Sequence, residues 1–317
     1  MTKSSIVDKL FSLSPYIEVF IRRVYWRNIA FFVRFKNKRR VQPDPAELSV
    51  VDFGRILANL KSLGVQSGDL LLVHSAYDSL KNTRLSSAQI VNELIGLVGP
   101  AGTLAMPAMP IFRNDVDRSD YLSADISDRV YVYDRKKSRI KTGALPTALA
   151  KLPGAVRSLH PINTMVAAGR LAEDLMRDNL TGESPLPCGV NSSWKHCVEN
   201  DAWVLGLGVD LAHSLTMIHV AEDVLDEKWP VKGWYRHKHF EIIDGDLKIQ
   251  KTLRERHPKW GTLCYAERTL CKDLIRCGIM KSVRVDGVLI ELLRAKSLID
   301  FLMSKNGNGY PYFRLKI

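Results

Sequence analysis

The sequence predicts a layered α/β fold for most of its 317 residues. Short apolar segments of strand length alternate with segments whose apolar residues recur at helical spacing, and turns containing Gly or Pro separate them. Hydrophobic residues make up 46% of the chain and charged residues 25%, which is enough for one large domain or two moderate ones. This composition excludes disordered and collagen-like proteins, and no repeat period typical of solenoids is present.

Turn and capping residues bound the first elements of this alternation. Gly64 ends a helix, and Ser86 forms a capping box with Gln89 at the start of the next one. Pro107 closes a strand. In order, we expect a helix over 51–63, a strand over 70–73, a helix from 86 to about 98 and a strand over 103–106.

The following part of the sequence is less regular. Residues 111–141 are polar and predict a long connecting loop, and loops of this length in compact domains are often functional. After this loop we expect helices over 147–152, 165–177 and 216–225, a buried strand over 203–207, and a final helix within 283–302.

A basic and aromatic segment precedes the α/β region. The chain has 46 Lys and Arg against 34 Asp and Glu, a net charge of +12, and eight of these cations lie between Arg22 and Arg40. Five aromatic residues are placed among them. Ser14 followed by Pro15 predicts the start of a helix, because Ser is a favoured N-cap and Pro suits the first helical position.

We therefore divide the chain into a helical extension, residues 1–45, and a main domain, residues 46–317. A basic amphipathic helix can pack on its own domain, pack on a second copy of the chain, or contact an anionic membrane surface through residues 15–40. The positive charge also attracts anionic small molecules. We do not expect nucleic acid as a partner, and the oligomeric state is open.

The five cysteines have irregular spacing and include no C-x-x-C pair. This pattern disfavours a zinc ribbon and a disulfide framework. The N-terminus lacks the features of a secretory signal peptide, and no segment approaches the roughly 20 apolar residues of a membrane-spanning helix. These features lead us to expect a cytoplasmic protein.

Two histidines are placed where α/β enzymes carry chemistry. His74 ends a predicted strand and is followed by Ser75 and Ala76, and ligands collect at the carboxyl ends of such strands. His160 precedes Pro161, which favours an extended backbone at the histidine. A fixed imidazole with an ordinary pKa near 6.5 suits a general base.

A third candidate is the segment TMIHVAED, in which Thr216, His219 and Asp223 share one helix face and Glu222 follows His219 by three residues. A zinc protease would need a second histidine where Asp223 stands. A metal-dependent hydrolase nevertheless stays open as an alternative, with a pair of histidines from a predicted strand completing the set: His219, Glu222, His237 and His239. Dinucleotide, P-loop and nucleophile-elbow motifs are absent from the sequence.

Five segments in fixed order resemble the aminoglycoside 3-N-acetyltransferase family. They are LLVHSAYDSL, GTLAMPAMP, TGALPTALAKLPGAVRSLHPINTMVAAGRLAEDL, GESPL and WVLGLGVDLAHSLTMIHVAED. The resemblance covers roughly residues 51–223 and weakens towards residue 302. It implies a cytoplasmic enzyme of antibiotic resistance with a layered αβα core, here with an N-terminal helical extension. Such an enzyme transfers acetyl from acetyl-CoA to a primary amine of an aminoglycoside or a related amino sugar, without a metal.

The resemblance also implies site residues. His160 matches the histidine of an H-P-x-x-S motif, and Thr216, His219 and Glu222 match a T-x-x-H-x-A-E motif. We expect these four residues to be catalytic. The implied CoA-binding residues lie at the strand end and in a T-G-A-L-P turn: His74, Ser75, Ala76, Thr142, Gly143, Ala144 and Leu145.

In the mechanism that we expect, His160 removes a proton from the acceptor amine while Glu222 orients its imidazole. The developing charge on the thioester oxygen needs a hydrogen-bond donor in place beforehand. Either a backbone N–H after His74 or the Thr216 hydroxyl is expected to supply it. The candidates for contact with the CoA phosphates are basic residues of the predicted loop: Arg113, Arg135, Lys136 and Lys137.

The sequence leaves the acceptor open. Aminoglycosides are polycations, and a chain of +12 better fits an anionic acceptor such as a nucleotide-linked amino sugar, although five aspartates between residues 115 and 128 offer an acidic patch. Leu215 replaces the family's usual Asn, and the loop over 208–216 is longer than usual; both changes concern the acceptor side. A non-catalytic membrane-surface protein is the remaining alternative.

Overall fold

The structure, a computed structural model, describes residues 14–28, 50–117, 120, 122–229, 231–306 and 312–313. The helices in these ranges are α1 (Pro15–Arg27), α2 (Phe53–Ser62), α3 (Ser87–Val98), α4 (Ala144–Leu149), α5 (Ala172–Met176), α6 (Ser193–Glu199), α7 (Val220–Asp223), α8 (Pro258–Leu263), α9 (Glu267–Arg276) and α10 (Ala295–Asn306). The strands are β1 (Leu70–Ser75), β2 (Thr103–Pro107), β3 (Val130–Asp134), β4 (Val156–Arg157), β5 (Met165–Gly169), β6 (Trp203–Leu207), β7 (Tyr235–Asp244), β8 (Leu247–Arg256), β9 (Lys281–Val285) and β10 (Val288–Arg294). Short 3-10 turns connect several of them.

A mixed sheet of seven strands forms the centre, in the order β4-β5-β2-β1-β6-β10-β9. β1 runs parallel to both of its neighbours, β2 and β6, and the outer pairs are antiparallel. The continuous run of Leu and Val in β1 is buried on both faces of the sheet, as is typical of a central parallel strand. The carboxyl ends of the three parallel strands meet at one edge, which is where α/β folds bind ligands.

Helices cover both faces of this sheet. Alternate side chains of β1 enter different cores, Leu70 and Leu72 on one face and Leu71 and Val73 on the other. Helices α2, α3 and α4 pack on the second face, and α5, α6, α7, α9 and α10 pack on the first. The predicted layered α/β fold is therefore confirmed.

A smaller sheet has the strand order β3-β7-β8, and its first strand, β3, lies within the predicted loop over 111–141. The prediction for residues 111–141 is wrong where β3 pairs in parallel with β7. Tyr131, Tyr133 and Phe240 form the core of this sheet and are buried. The strand escaped detection because its partner lies far along the chain.

Other predicted elements need smaller corrections. The segment over 165–177 begins as strand β5, antiparallel to β2, and becomes helical only at α5. A short apolar run fits a buried strand or a buried helix, and here pairing with β2 decides. The predicted helix over 216–225 is a 3-10 turn, Thr216–His219, continued by α7.

Helix α1 packs on α8 and α9 of the main domain. Ser14 caps it as predicted by accepting a hydrogen bond from the Ile17 N–H. Residues 29–49, which contain most of the basic segment, lie outside the described residues. The boundary at residues 45 and 46 and the membrane contact of residues 15–40 therefore stay predictions. None of the helices within the described ranges is long and apolar enough to cross a membrane.

Candidate active site

The carboxyl end of β1 and the turn before α4 line a cavity of about 220 Å³, which we call the strand-end cavity. The residues around it include His74, Ser75, Thr142, Pro146 and Thr216. Four of the predicted site residues thus border one space, although they come from separate parts of the sequence.

The buried side chain of His74 forms part of the wall of the strand-end cavity. Its side chain lies beside the Trp194 ring, with 6.1 Å between ring centroids, and burial lowers its pKa to about 4. Among the described residues, no group hydrogen-bonds its Nε2. Because buried polar atoms normally have partners, this nitrogen is available to a ligand in the cavity.

Two residues of the T-G-A-L-P turn, Thr142 and Pro146, line the same cavity, and the predicted Gly143, Ala144 and Leu145 lie between them without lining it. The Thr142 hydroxyl donates to the Pro107 carbonyl oxygen at 2.6 Å, which ties the turn to the end of β2. Gly143 has φ +121° and open space where a Cβ would lie, so backbone conformation favours glycine here. Ala144 begins α4, and Leu145 is fully buried in the core below. The side chain of Leu145 thus supports the turn from the core.

The two predicted donors to a thioester oxygen differ in availability. The Ala76 N–H already donates to the Leu207 carbonyl oxygen at 3.2 Å. The Thr216 hydroxyl has only a long contact of 3.4 Å to the Ser214 carbonyl oxygen. The hydroxyl can therefore turn towards a bound carbonyl more easily than the amide can.

His160 does not pair with Glu222, and this part of the expected mechanism is wrong. Its Nε2 lies 3.1 Å from the Pro185 carbonyl oxygen, and its Nδ1 lies 3.0 Å from the Ile162 carbonyl oxygen and 3.2 Å from the Ile162 backbone nitrogen. Each ring nitrogen thus faces a backbone carbonyl oxygen, and a neutral imidazole can donate to one of the two. The residue is 3% exposed, and burial lowers its pKa to about 4. Both ring nitrogens contact backbone groups, so the imidazole connects the loop that contains Ile162 with the loop that contains Pro185.

Glu222 pairs with His219, which precedes it by three residues. Their closest atoms, His219 Nδ1 and Glu222 Oε2, are 3.2 Å apart, and the junction of the 3-10 turn with α7 places both on one side. Burial and the nearby Arg256 lower the pKa of His219, while Glu222 opposes them. The ring is therefore neutral at neutral pH, with its Nδ1–H directed at the carboxylate.

Arg256, at the end of β8, completes this cluster and was missed by sequence reasoning. Its Nη2 lies 3.0 Å from His219 Nε2, and its Nη1 lies 3.6 Å from Glu222 Oε1. The guanidinium packs against Gly261, where a Cβ would come within 2.9 Å of Nη2. Arg256 is 37 residues from His219, and no sequence motif connects them.

Asp223 is a second buried acid beside Glu222. It accepts hydrogen bonds from the Cys188 N–H and the Tyr235 hydroxyl, both at 3.0 Å. Burial, reinforced by the charge of Glu222, raises its pKa to about 7. Asp223 therefore carries only part of a negative charge at neutral pH and ties α7 to β7.

Two further cavities meet at His219. The bridging cavity, about 180 Å³, shares Thr216 with the strand-end cavity. Its other lining residues include Ser214, His219, Arg256 and Glu267. The outer cavity, about 330 Å³, is lined in part by Arg22, Trp26, His219, Asp223, Glu255, Arg256 and Glu267. His219 thus lies between the strand-end side and the outer cavity.

The residues of the metal alternative do not form one site. His237 is exposed on β7, and His239 Nδ1 lies 2.7 Å from the Thr252 hydroxyl. Across the part of the chain that the structure describes, no three His, Cys, Asp or Glu side chains are grouped so that they could hold a metal ion. The arrangement gives the hydrolase alternative no support.

Comparisons with known proteins show the family of the chain. The family model described as aminoglycoside 3-N-acetyltransferase matches residues 72–305. Aminoglycoside N(3)-acetyltransferase III of Serratia marcescens is 32% identical over 265 residues, 78% of this chain and 93% of that protein.

Solved structures show the same fold. AAC-IIIb in a binary complex with CoASH superposes with a TM-score of 0.66 at 22% identity, over 82% of this chain and 97% of that one. AAC-VIa bound to sisomicin superposes with a TM-score of 0.66 at 20% identity, over 82% and 98%. The chain is an N-acetyltransferase that belongs to the aminoglycoside 3-N-acetyltransferase family.

Proposed function

We propose that the protein transfers the acetyl group of acetyl-CoA to a primary amine of an aminoglycoside, with His219 as the general base. The observation that carries this proposal is the His219–Glu222 pair where the bridging and outer cavities meet. The relatives' names support the acceptor class, and the CoASH complex of AAC-IIIb supports the acyl donor.

We assign His219 as the base because one nitrogen of its imidazole has a lone pair that can accept a proton. The Nδ1–H of His219 points to Glu222, so Nε2 carries the lone pair that can take a proton. Arg256 Nη2 now contacts that lone pair, and the acceptor amine must take its place before proton transfer. A base held in this way contributes about 10²–10⁴-fold to the rate.

The amine nitrogen attacks the thioester carbonyl carbon, its proton passes to His219 Nε2, and the C–S bond breaks to release the CoA thiolate. Glu222 stabilises the imidazolium that forms, because it lies 3.2 Å from Nδ1. We assign the Thr216 hydroxyl as donor to the thioester oxygen, since it borders both the strand-end and bridging cavities.

The acetyl-CoA side of the site has a matching distribution of charge. A cavity of about 450 Å³ lies beside α4, and we call it the basic cavity. One carboxylate, Glu173, faces six cationic residues there: Arg135, Lys136, Lys137, Arg139, Lys151 and Arg157. Arg157 is occupied by backbone carbonyls, whereas Lys136 and Lys137 are exposed. We assign the basic cavity to the CoA phosphates.

The outer cavity suits a cationic acceptor better than the net charge of +12 suggests. Its charged lining includes the carboxylates of Glu255 and Glu267 and the partly ionised Asp223, against the guanidinium groups of Arg22 and Arg256, so the lining is close to neutral. The positive charge of the chain is therefore concentrated elsewhere, including the basic cavity. This distribution favours an aminoglycoside over an anionic amino sugar as the acceptor.

The proposal is tested by incubating the protein with acetyl-CoA and a panel of amines, following thiol release and product mass. We expect transfer to sisomicin or apramycin and none to a nucleotide-linked amino sugar. Transfer to the nucleotide sugar alone would contradict the acceptor class. Thiol release that is independent of every amine would contradict the proposed transfer altogether.

A further inference from the structure

We propose that helix α1 forms a wall of the acceptor site and that Trp26 binds an ammonium group of the acceptor. The inference rests on the proposed function for the identity of the acceptor. It concerns residues that precede the family match of residues 72–305, so nothing in that match assigns them a role.

A buried acid, Glu18, fixes α1 on the main domain. Glu18 is fully buried, and its carboxylate accepts hydrogen bonds from the backbone N–H groups of Arg268 and Thr269, each at 2.9 Å. The Thr269 hydroxyl donates to it as well, at 2.8 Å. Glu18 thereby caps the N-terminus of α9, where free N–H groups and the helix dipole favour a negative charge.

Two arginines, Arg22 and Arg23, set the orientation of α1. Arg22 Nη2 lies 2.7 Å from Glu267 Oε2, a residue that lines both the bridging and outer cavities. Arg23 Nε donates to the Leu263 carbonyl oxygen at the end of α8, at 3.1 Å. With Glu18 one turn earlier, these contacts hold α1 along the rim of the outer cavity.

The position of α1 places Trp26 beside the outer cavity. Trp26 lies one turn beyond Arg22 and lines the same outer cavity as His219. An indole ring is the strongest of the aromatic partners for a cation within about 6 Å of its centre. The nearby Glu267 is already paired with Arg22, and Glu255 with Arg236 at 2.6 Å. An ammonium group of a polyamine acceptor therefore gains an uncharged partner at the rim while another amine faces His219.

The test uses the full-length protein with Trp26→Ala, Trp26→Phe and the matched control Phe20→Ala. Phe20 lies on the same helix, is 66% exposed and does not line the outer cavity. We measure kcat, KM for sisomicin, KM for acetyl-CoA, sisomicin binding by calorimetry, and the thermal midpoint of each variant.

We expect Trp26→Ala to raise KM and Kd for sisomicin about tenfold, with Trp26→Phe intermediate, because a desolvated cation–aromatic contact is of that size. The kcat, the KM for acetyl-CoA and the Phe20→Ala control should stay within about twofold of wild type on the same reasoning. Sisomicin binding unchanged by Trp26→Ala, or an equal rise in KM for acetyl-CoA, would overturn the inference.

The calorimetric arm separates this inference from the proposed function. If the wild type binds sisomicin but transfers no acetyl group, the proposed function fails, and loss of binding in Trp26→Ala still supports the role of α1. If the wild type neither binds nor acetylates sisomicin, both proposals fall. If it acetylates sisomicin and Trp26→Ala does so with the same KM, only the role of Trp26 is overturned.

Discussion

His160 and His219 belong to two motifs of the same family, and burial lowers the pKa of both, yet their surroundings differ. The ring of His160 is bonded on both sides by loop backbone, from Ile162 and Pro185. The ring of His219 has a carboxylate on one side and, on the other, a cavity and the guanidinium of Arg256. Burial alone thus does not distinguish the two histidines, whereas the partners of their ring nitrogens do.

Among the variants that test this comparison, Glu222→Gln is expected to have the largest effect on kcat. An amide can still accept the Nδ1–H of His219 but cannot stabilise the imidazolium, so kcat should fall about 10²-fold while KM for acetyl-CoA changes little. Steady-state kinetics with sisomicin check this. A kcat within twofold of the wild-type value would show that Glu222 does not assist the base.

A smaller effect is expected at the basic cavity. Replacing Lys136 and Lys137 with Gln should raise KM for acetyl-CoA about fivefold, because each exposed lysine–phosphate pair is worth a fraction of a kcal/mol to about 1 kcal/mol. The kcat should not change. Added salt should reduce the difference between variant and wild type, since it screens exposed charges.

A double variant of equal charge, Lys61→Gln with Lys248→Gln, is the control. Both lysines are exposed and lie away from the basic cavity. If this control raises KM for acetyl-CoA as much as the first variant does, the effect belongs to the net charge of the protein, and the basic cavity is not the phosphate site.

The smallest expected change is a displacement of the pH profile by Arg256→Gln. In the wild type, burial and Arg256 lower the pKa of His219, so the base stays unprotonated and activity is lost only as the pH falls through that lowered pKa. Removing the cation raises the pKa, and the acid limb of kcat/KM should move to higher pH. An acid limb that stays in place or moves to lower pH would contradict the assignment of His219 as the titrating base.

The sequence predicted the parts of this molecule that depend on local order. The prediction of the capping box at Ser86 and of the strand β1, which contains His74, needed only neighbouring residues. The motif TMIHVAED contained the His219–Glu222 pair, because a spacing of three residues fixes that contact.

Contacts between segments that are far apart in the chain could not be predicted from the sequence. His160 owes its role to a carbonyl 25 residues away, and His219 meets a guanidinium 37 residues away. The Arg22–Glu267 contact joins residues separated by 245 positions. Such pairs depend on how β8, α1 and α9 pack together, and no local pattern reports that packing.

The central claim is that His219, and not His160, removes the proton from the acceptor. The most direct measurement is kcat for the matched variants His219→Gln and His160→Gln, with CoA affinity and thermal midpoint measured on the same samples. We predict that His219→Gln lowers kcat by about 10³-fold with unchanged CoA affinity, whereas His160→Gln lowers the thermal midpoint and keeps kcat within about tenfold of wild type. Loss of kcat in a folded His160→Gln protein, with activity retained in His219→Gln, would contradict the account.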